Sequence, residues 1–192
     1  MTGTRGVICV VDDDDAVRRG LSELFVRAGY SVMEYSSAPA LLDASWTQPP
    51  ACVVVDLVLP EVSGIEMLSK MRERGTRVPT IMVTAHGDVP TAVQAIKAGA
   101  YDFVEKPFVP EHLLQRVDDA VRDGQASAKS GPGRLTHRQQ EIYDRLNLGA
   151  TPEDVAKALS LSIKTVYAHR QAIMDKLRLG SREIAKVVRE EP

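Results

Sequence analysis

Cysteine is nearly missing from this chain, and long apolar runs are missing altogether. Only Cys9 and Cys52 occur, each inside a short strand-like stretch, so the expectation is two buried, reduced thiols and not a disulfide. No apolar run approaches the roughly 18 residues that a membrane span needs. The N-terminus has no basic segment leading into a long apolar stretch, so neither a secretory signal nor a membrane partner is expected and a cytoplasmic protein is. Aromatic residues make up only 5% of the chain, too few to predict a single-stranded RNA reader that stacks bases. The four histidines, at 86, 112, 137 and 169, show no metal-ligand spacing. Internal repeats and low-complexity tracts are absent as well.

The charge is present but unevenly divided. Residues 1–133 carry 13 lysines and arginines against 18 acids, a net of −5, while 134–192 carry 11 against 8, a net of +3. An acidic front and a mildly basic back fit a nucleic-acid partner for the back half only. Along 7–122, apolar runs near 7–11, 31–34, 51–55, 79–83 and 102–105 alternate with segments of helical spacing at 15–28, 37–44, 64–74, 89–98 and 110–122. In 15–28, for example, Val17, Leu21, Leu24, Phe25 and Ala28 share one stripe. Five such β/α units predict an α/β domain over 1–123: a doubly wound, five-stranded parallel sheet of flavodoxin-like type, with helices on both faces.

Residues 124–133 are small, polar and rich in glycine, serine and proline, and read as a linker. Ten flexible residues span roughly 16–19 Å root-mean-square, so the flanking domains could touch or separate. From 134 to 192 the pattern is entirely helical. Thr136 with Gln139 forms a capping box for 137–147, and Gly149 stops that helix. Thr151, Pro152, Glu153 and Asp154 supply the cap, first-turn proline and acids for a short helix to Ala158. Ser162 caps 163–177 and Ser181 caps 182–189, which completes an all-α, four-helix domain. The short turn at 159–161 joins two of these helices as a helix-turn-helix.

Ligands of open parallel sheets collect at the carboxyl ends of the strands. That rule gathers Asp12, Asp13, Asp56, Thr84 and Lys106, each directly after or at the end of an apolar run. Asp14 and Asp15 read as helix-start acids, whereas Asp12 and Asp13 sit at the strand end itself. Clustered carboxylates raise one another's pKa and call for a cation. The layout predicts an acidic pocket for a divalent metal and a phosphoryl group, with Lys106 as its fixed positive partner.

With these residues and spacings the chain resembles the two-component response regulators, specifically the NarL/FixJ group with a LuxR-type output domain. The resemblance implies that Asp56 accepts phosphate from a histidine kinase and that Asp13, Asp56 and the Val58 carbonyl bind Mg²⁺, with Asp12 helping through water. It implies further that Lys106 and Thr84 meet the phosphoryl oxygens, that Phe103 is the aromatic switch, and that the Lys106-Pro107 bond is cis. Two positions that influence hydrolysis in the family carry Val58 and His86 here. An apolar Val58 cannot orient water, so a comparatively long-lived phosphorylated form is expected.

The C-terminal resemblance rests on 135–142, on 149–156 and on 165–169. Gln139 stands where the family usually has glutamate, Tyr143 where an aliphatic residue is common, and Pro152-Glu153 in place of Asn-Lys. On 163–177, Val166, Ile173 and Leu177 form the stripe expected to face the core. Lys164, Tyr167, Ala168, Gln171 and Asp175 lie opposite, on the face expected to enter the major groove of double-stranded DNA. Gln171 can bond adenine and Ala168 can touch a thymine methyl; Lys164, Thr165, Arg170 and Lys176 are candidate phosphate contacts, and Tyr167 either reads a base or lies along the backbone. His169 reads as a packed or capping residue and not as a metal ligand. A phosphorylation-switched transcription factor follows, not an enzyme. It would either dimerise on phosphorylation or release a DNA-binding domain held against the fourth helix and fifth strand, with RNA polymerase as a further partner. The rival is a magnesium-dependent phosphohydrolase using Asp56, against which stand the missing acid at Val58 and the lack of a general acid.

Overall fold

Alternation within the five apolar runs decides where each strand sends its side chains. In the computed structural model, which describes residues 5–85, 87–127 and 135–177, these runs are β1 (Val7–Val11), β2 (Ser31–Tyr35), β3 (Cys52–Asp56), β4 (Thr80–Thr84) and β5 (Asp102–Glu105). They pair in the order β2-β1-β3-β4-β5, every neighbouring pair parallel. Cys9, Val11, Val53, Val55 and Met82 point to one face of the sheet. Ile8, Val10, Cys52, Val54, Ile81 and Val83 point to the other. The two cysteines therefore lie on opposite faces, both free and buried, and burial pushes the Cys9 thiol up to about 12.

Helices α1 (Asp15–Arg27) and α5 (Pro110–Ser127) cover the face that holds Cys52, through Leu21, Phe25, Leu113 and Val117. The other face is covered by α2 (Ala38–Leu42), α3 (Gly64–Glu73) and α4 (Val89–Lys97), through Leu41, Met67, Leu68, Ala92, Ala95 and Ile96. With right-handed crossovers, the reversal of strand order at β1 sends α1 to one face and α2, α3 and α4 to the other, which is the doubly wound arrangement. The helix predicted to stop at 122 runs on to Ser127, so residues 124–127 are helical where a linker was expected. Packing overrides the low propensity of Gly124 there: a Cβ at that position would lie 2.7 Å from Pro79 Cγ, so only glycine lets the helix pass so close.

Three further helices follow: α6 (His137–Asn147), α7 (Pro152–Ala158) and α8 (Ile163–Leu177). The capping boxes at Thr136/Gln139 and Thr151/Asp154 are both formed, and the Thr165 amide bonds the Ser162 hydroxyl at 3.0 Å. Ile142, Leu146, Val155, Leu161, Val166 and Ile173 build a separate small core. Leu177 is not part of it: at the helix end it stays 36% exposed, against expectation. The helix predicted over 182–189, with its Ser181 cap, lies outside the described residues.

Candidate functional site

Every charged group of the pocket enters from the carboxyl end of a strand. Lys106 Nζ, just past β5, donates to Asp56 Oδ2 at 2.6 Å and to Asp12 Oδ2 at 3.0 Å. Asp56 Oδ1 accepts the Val58 amide at 2.8 Å, and Asp12 Oδ1 accepts the Asp14 amide at 2.9 Å. Thr84 closes β4 fully buried beside this group, paired in register with Glu105, and its carbonyl accepts the Lys106 amide at 2.7 Å. Phe103 is buried, and the Lys106-Pro107 bond is cis. The single most informative spacing in the sequence thus becomes one bonded cluster, drawn from residues as far as 94 positions apart.

The electrostatics of the cluster follow from burial. Asp12 is 2% exposed, and burial raises its carboxyl more than Lys106 and the Asp14 amide lower it. Burial would lower Lys106, but its bonds to Asp56 and Asp12 outweigh that and hold it above its ordinary value, so it remains an ammonium at neutral pH. One ammonium between two carboxylates leaves net negative charge, to which the exposed Asp13 next to Asp12 adds. Among the described residues no three acidic, histidine or cysteine side chains converge closely enough to hold a metal. Yet the available donors are all oxygen, the set a hard cation such as Mg²⁺ prefers, and the surplus charge favours one. Val58 is 61% exposed and apolar. His86 lies outside the described residues.

The helix expected to read DNA is largely covered. Its most extensive partner is α4 of the sheet domain. Ala168 and Ala172 are buried in the same apolar cluster as Ala92, Ala95 and Ile96. Lys164 Nζ donates to the Gly87 carbonyl at 2.6 Å and to both Glu105 carboxylate oxygens at 3.0 and 3.1 Å. Thr165 Oγ1 donates to the Phe103 carbonyl at 3.1 Å. Because β5 is the edge strand, its outward carbonyls have no sheet partner, and this hydroxyl satisfies one of them. Asp175 pairs with Lys97 at 3.0 Å and with Gln171 at 3.2 Å. Lys176 Nζ donates to Gln139 Oε1 at 2.8 Å, inside the small domain. Of the predicted DNA contacts, Lys164, Thr165 and Ala168 therefore face the sheet domain, Tyr167 is 38% exposed, and Arg170 is half-buried.

Sequence reading missed the polar joint beneath this contact. Arg116 on α5 donates to Asp102 Oδ2 at 2.6 Å and to the Ser160 carbonyl of the small domain. Arg138 on α6 reaches back to Asp119 at 2.7 Å. His169 is fully buried, with Nε2 3.5 Å from Asp102 Oδ1, the packed position expected of it. Burial alone would raise the Asp102 carboxyl, but Arg116, His169 and Arg138 together hold it well below the usual carboxylate range. A charged residue opening a buried strand was the one available hint.

A doubly wound sheet with a lysine-bridged acid pair at its carboxyl edge, joined to a helix-turn-helix domain, defines a receiver coupled to a DNA-binding output. The chain matches the response regulator receiver domain over residues 8–118 and the luxR family of bacterial regulatory proteins over 133–188. It is 35% identical to the transcriptional regulatory protein FixJ of Bradyrhizobium diazoefficiens over 187 residues, 93% of this chain and 91% of the relative. It is 34% identical to the response regulator protein TodT of Pseudomonas putida strain F1 over 190 residues, 94% and 84% of the two chains. The crystal structure of full-length FixJ from B. japonicum superposes with a TM-score of 0.62 at 32% identity, covering 98% of this chain and all of that one. The chain belongs to the two-component response regulators of the NarL/FixJ type, and is a phosphorylation-dependent transcriptional regulator.

Proposed function

We propose that Asp56 is the phosphoacceptor, and that its phosphorylation by a sensor histidine kinase frees α8 to bind double-stranded DNA. Two features support the reading: the bridge from Lys106 to Asp56 and Asp12, and the covering of α8 by the face of α4 and β5. The observation that carries it is the second, since a DNA-reading face already in use must be uncovered before it can read. Phosphoryl transfer depends on positioning and charge neutralisation more than on covalent assistance. An Asp56 carboxylate oxygen attacks phosphorus, the P–N bond of the kinase's phosphohistidine breaks with its electron pair returning to the imidazole nitrogen, and an acyl phosphate results. Lys106 then shifts its hydrogen bonds to the phosphoryl oxygens, and the Thr84 hydroxyl moves to meet another.

Asp13, Asp56 and the Val58 carbonyl would hold Mg²⁺, with Asp12 acting through water. Bound there, the ion would supply positive charge against the equatorial oxygens. Phe103 follows Thr84, and the contact with α8 weakens. A face that α8 occupies cannot pair with a second copy, so release precedes any homodimerisation through α4 and β5. The domain limits on this reading are 1–123 for the receiver, 124–133 for the connector and 134–192 for the output domain. Lys164, Thr165, Arg170 and Lys176 would meet phosphates, while Ala168, Gln171 and Tyr167 would read bases. A cytoplasmic location, RNA polymerase as a further partner and the absence of turnover as an enzyme complete the reading. No helix among the described residues is long and apolar enough to cross a membrane.

Labelling with acetyl phosphate and Mg²⁺, followed by intact mass, tests the site. The wild-type chain should gain one phosphoryl group and Asp56→Asn none. Labelling that survives the substitution sinks the assignment. A second expectation concerns lifetime. Val58 is exposed at the pocket mouth without a polar atom to orient water, so Val58→Asn should speed autodephosphorylation several-fold, followed as loss of label after donor removal. An unchanged rate would show that other groups govern hydrolysis.

A further inference from the structure

We propose that the DNA-binding domain restrains phosphoryl uptake by the receiver, and that duplex DNA, by capturing α8, accelerates phosphorylation of Asp56. The inference rests on the reading of Asp56 and α8 given above, and adds an effector of the phosphorylation step itself.

Four hydrogen bonds from α8 land on three residues beside the pocket. Lys164 holds the Gly87 carbonyl, three residues after Thr84, and the carboxylate of Glu105, next to Lys106. Thr165 holds the Phe103 carbonyl. Gly87 and Phe103 are themselves locked together: a Cβ at Gly87 would stand 2.9 Å from the Phe103 ring, so the loop backbone rests on that ring with no slack. The segment after Thr84 and the strand before Lys106 are thus clamped from outside by one lysine and one threonine.

For the Thr84 hydroxyl to follow a phosphoryl group, the loop beginning at residue 85 has to shift, and the clamp opposes that shift. Duplex DNA needs the same helix face and so competes with the clamp. Binding equilibria coupled through one two-state element are reciprocal: if phosphorylation favours DNA binding, DNA favours the phosphorylated state to the same degree. The location of the clamp extends this to the rate, because α8 holds Gly87 and Phe103, on either side of the groups that must move as Asp56 takes up phosphate. The step itself is unchanged. An Asp56 oxygen bonds to phosphorus as the bond to the acetate oxygen breaks, and acetate leaves with the electron pair.

The test measures the initial rate of acyl-phosphate formation on the full chain with acetyl phosphate and Mg²⁺, with and without a random-sequence duplex at low ionic strength, where non-specific DNA binding is strong. The duplex should raise the rate about fivefold or more, in the range of ordinary allosteric coupling. Ala172→Leu, which crowds the contact between α8 and α4 outside the proposed DNA contacts, should raise the rate without DNA and abolish further stimulation. Glu105→Gln, which removes the negative charge facing Lys164 and is a milder change, should act in the same direction. Equal rates in all arms, with phosphorylation still strengthening DNA binding, would overturn the proposal and leave the Asp56 reading intact. Failure of every arm to take up phosphate would overturn both.

Discussion

Ala172→Leu should let the unphosphorylated chain bind DNA about 5- to 150-fold more tightly than wild type, measured by fluorescence anisotropy at one stated salt concentration. Ala172 is 5% exposed and buried in the cluster that includes Ala92 and Ala95 of α4. Adding three heavy atoms to such a contact typically costs about 1–3 kcal/mol. Here that cost falls on the closed arrangement alone, because the small domain has its own core in Val155, Val166 and Ile173. Apparent affinity scales with the fraction of molecules whose binding face is free, so each 1.4 kcal/mol taken from the closed state is worth about tenfold until the open state dominates. Phosphorylation should add little to the variant. If it binds DNA no better than wild type while remaining folded, the covering of α8 is not what limits binding.

Arg116→Met should destabilise the chain by roughly 3–5 kcal/mol in urea denaturation, the usual cost of stranding one member of a buried ion pair. Asp102 is fully buried and Arg116 nearly so, and their bond is 2.6 Å. The variant also loses the bond to the Ser160 carbonyl, so the two domains should separate more readily. The pH dependence follows from the direction of the Asp102 shift. In wild type the carboxyl is depressed, so its contribution is present above the ordinary carboxylate pKa and is lost only as pH falls through its lower folded value. Without the guanidinium, only His169 and Arg138 are left to oppose burial, so that carboxyl should rise and the variant should recover relative to wild type as pH is lowered. Asp102→Asn combined with Arg116→Met should restore part of the loss at neutral pH. A cost below about 1 kcal/mol for Arg116→Met would mean the pair is not the anchor it looks to be.

The sheet and its pocket were legible because the relevant signals are periodic or positional. Apolar runs of strand length separated by helical spacing fix a parallel sheet, and a parallel sheet puts every strand-end residue on one edge. Asp12, Asp56, Thr84 and Lys106 needed nothing more. The limits of α6, α7 and α8 were legible from their caps, since Thr136, Thr151 and Ser162 act within three residues of themselves. The end of α5 was misread because Gly124, a breaker by propensity, is there to let a helix pass Pro79.

The contact between the domains was legible only as one of two alternatives. Lys164 and Gly87 lie 77 residues apart, and Thr165 and Phe103 lie 62 apart, with no periodic pattern to link them. A recognition helix must carry a polar, small-residue face for DNA, and the same face suits the alanines of α4 and the edge of β5. Ala168 and Lys164 therefore read as DNA contacts whether or not they also close the molecule. Two roles for one surface leave a single signature in the sequence. On the proposed reading that overlap also makes the switch economical, because α8 cannot serve both surfaces at once.

Equilibrium binding of the full chain to duplex DNA, titrated at one fixed salt concentration with and without acetyl phosphate plus Mg²⁺, examines the coupling of pocket to helix in a single measurement. Wild type should bind at least fivefold more tightly when phosphorylated, and Asp56→Asn should show one weak curve under both conditions. Equal affinities for phosphorylated and unphosphorylated wild type would contradict the account.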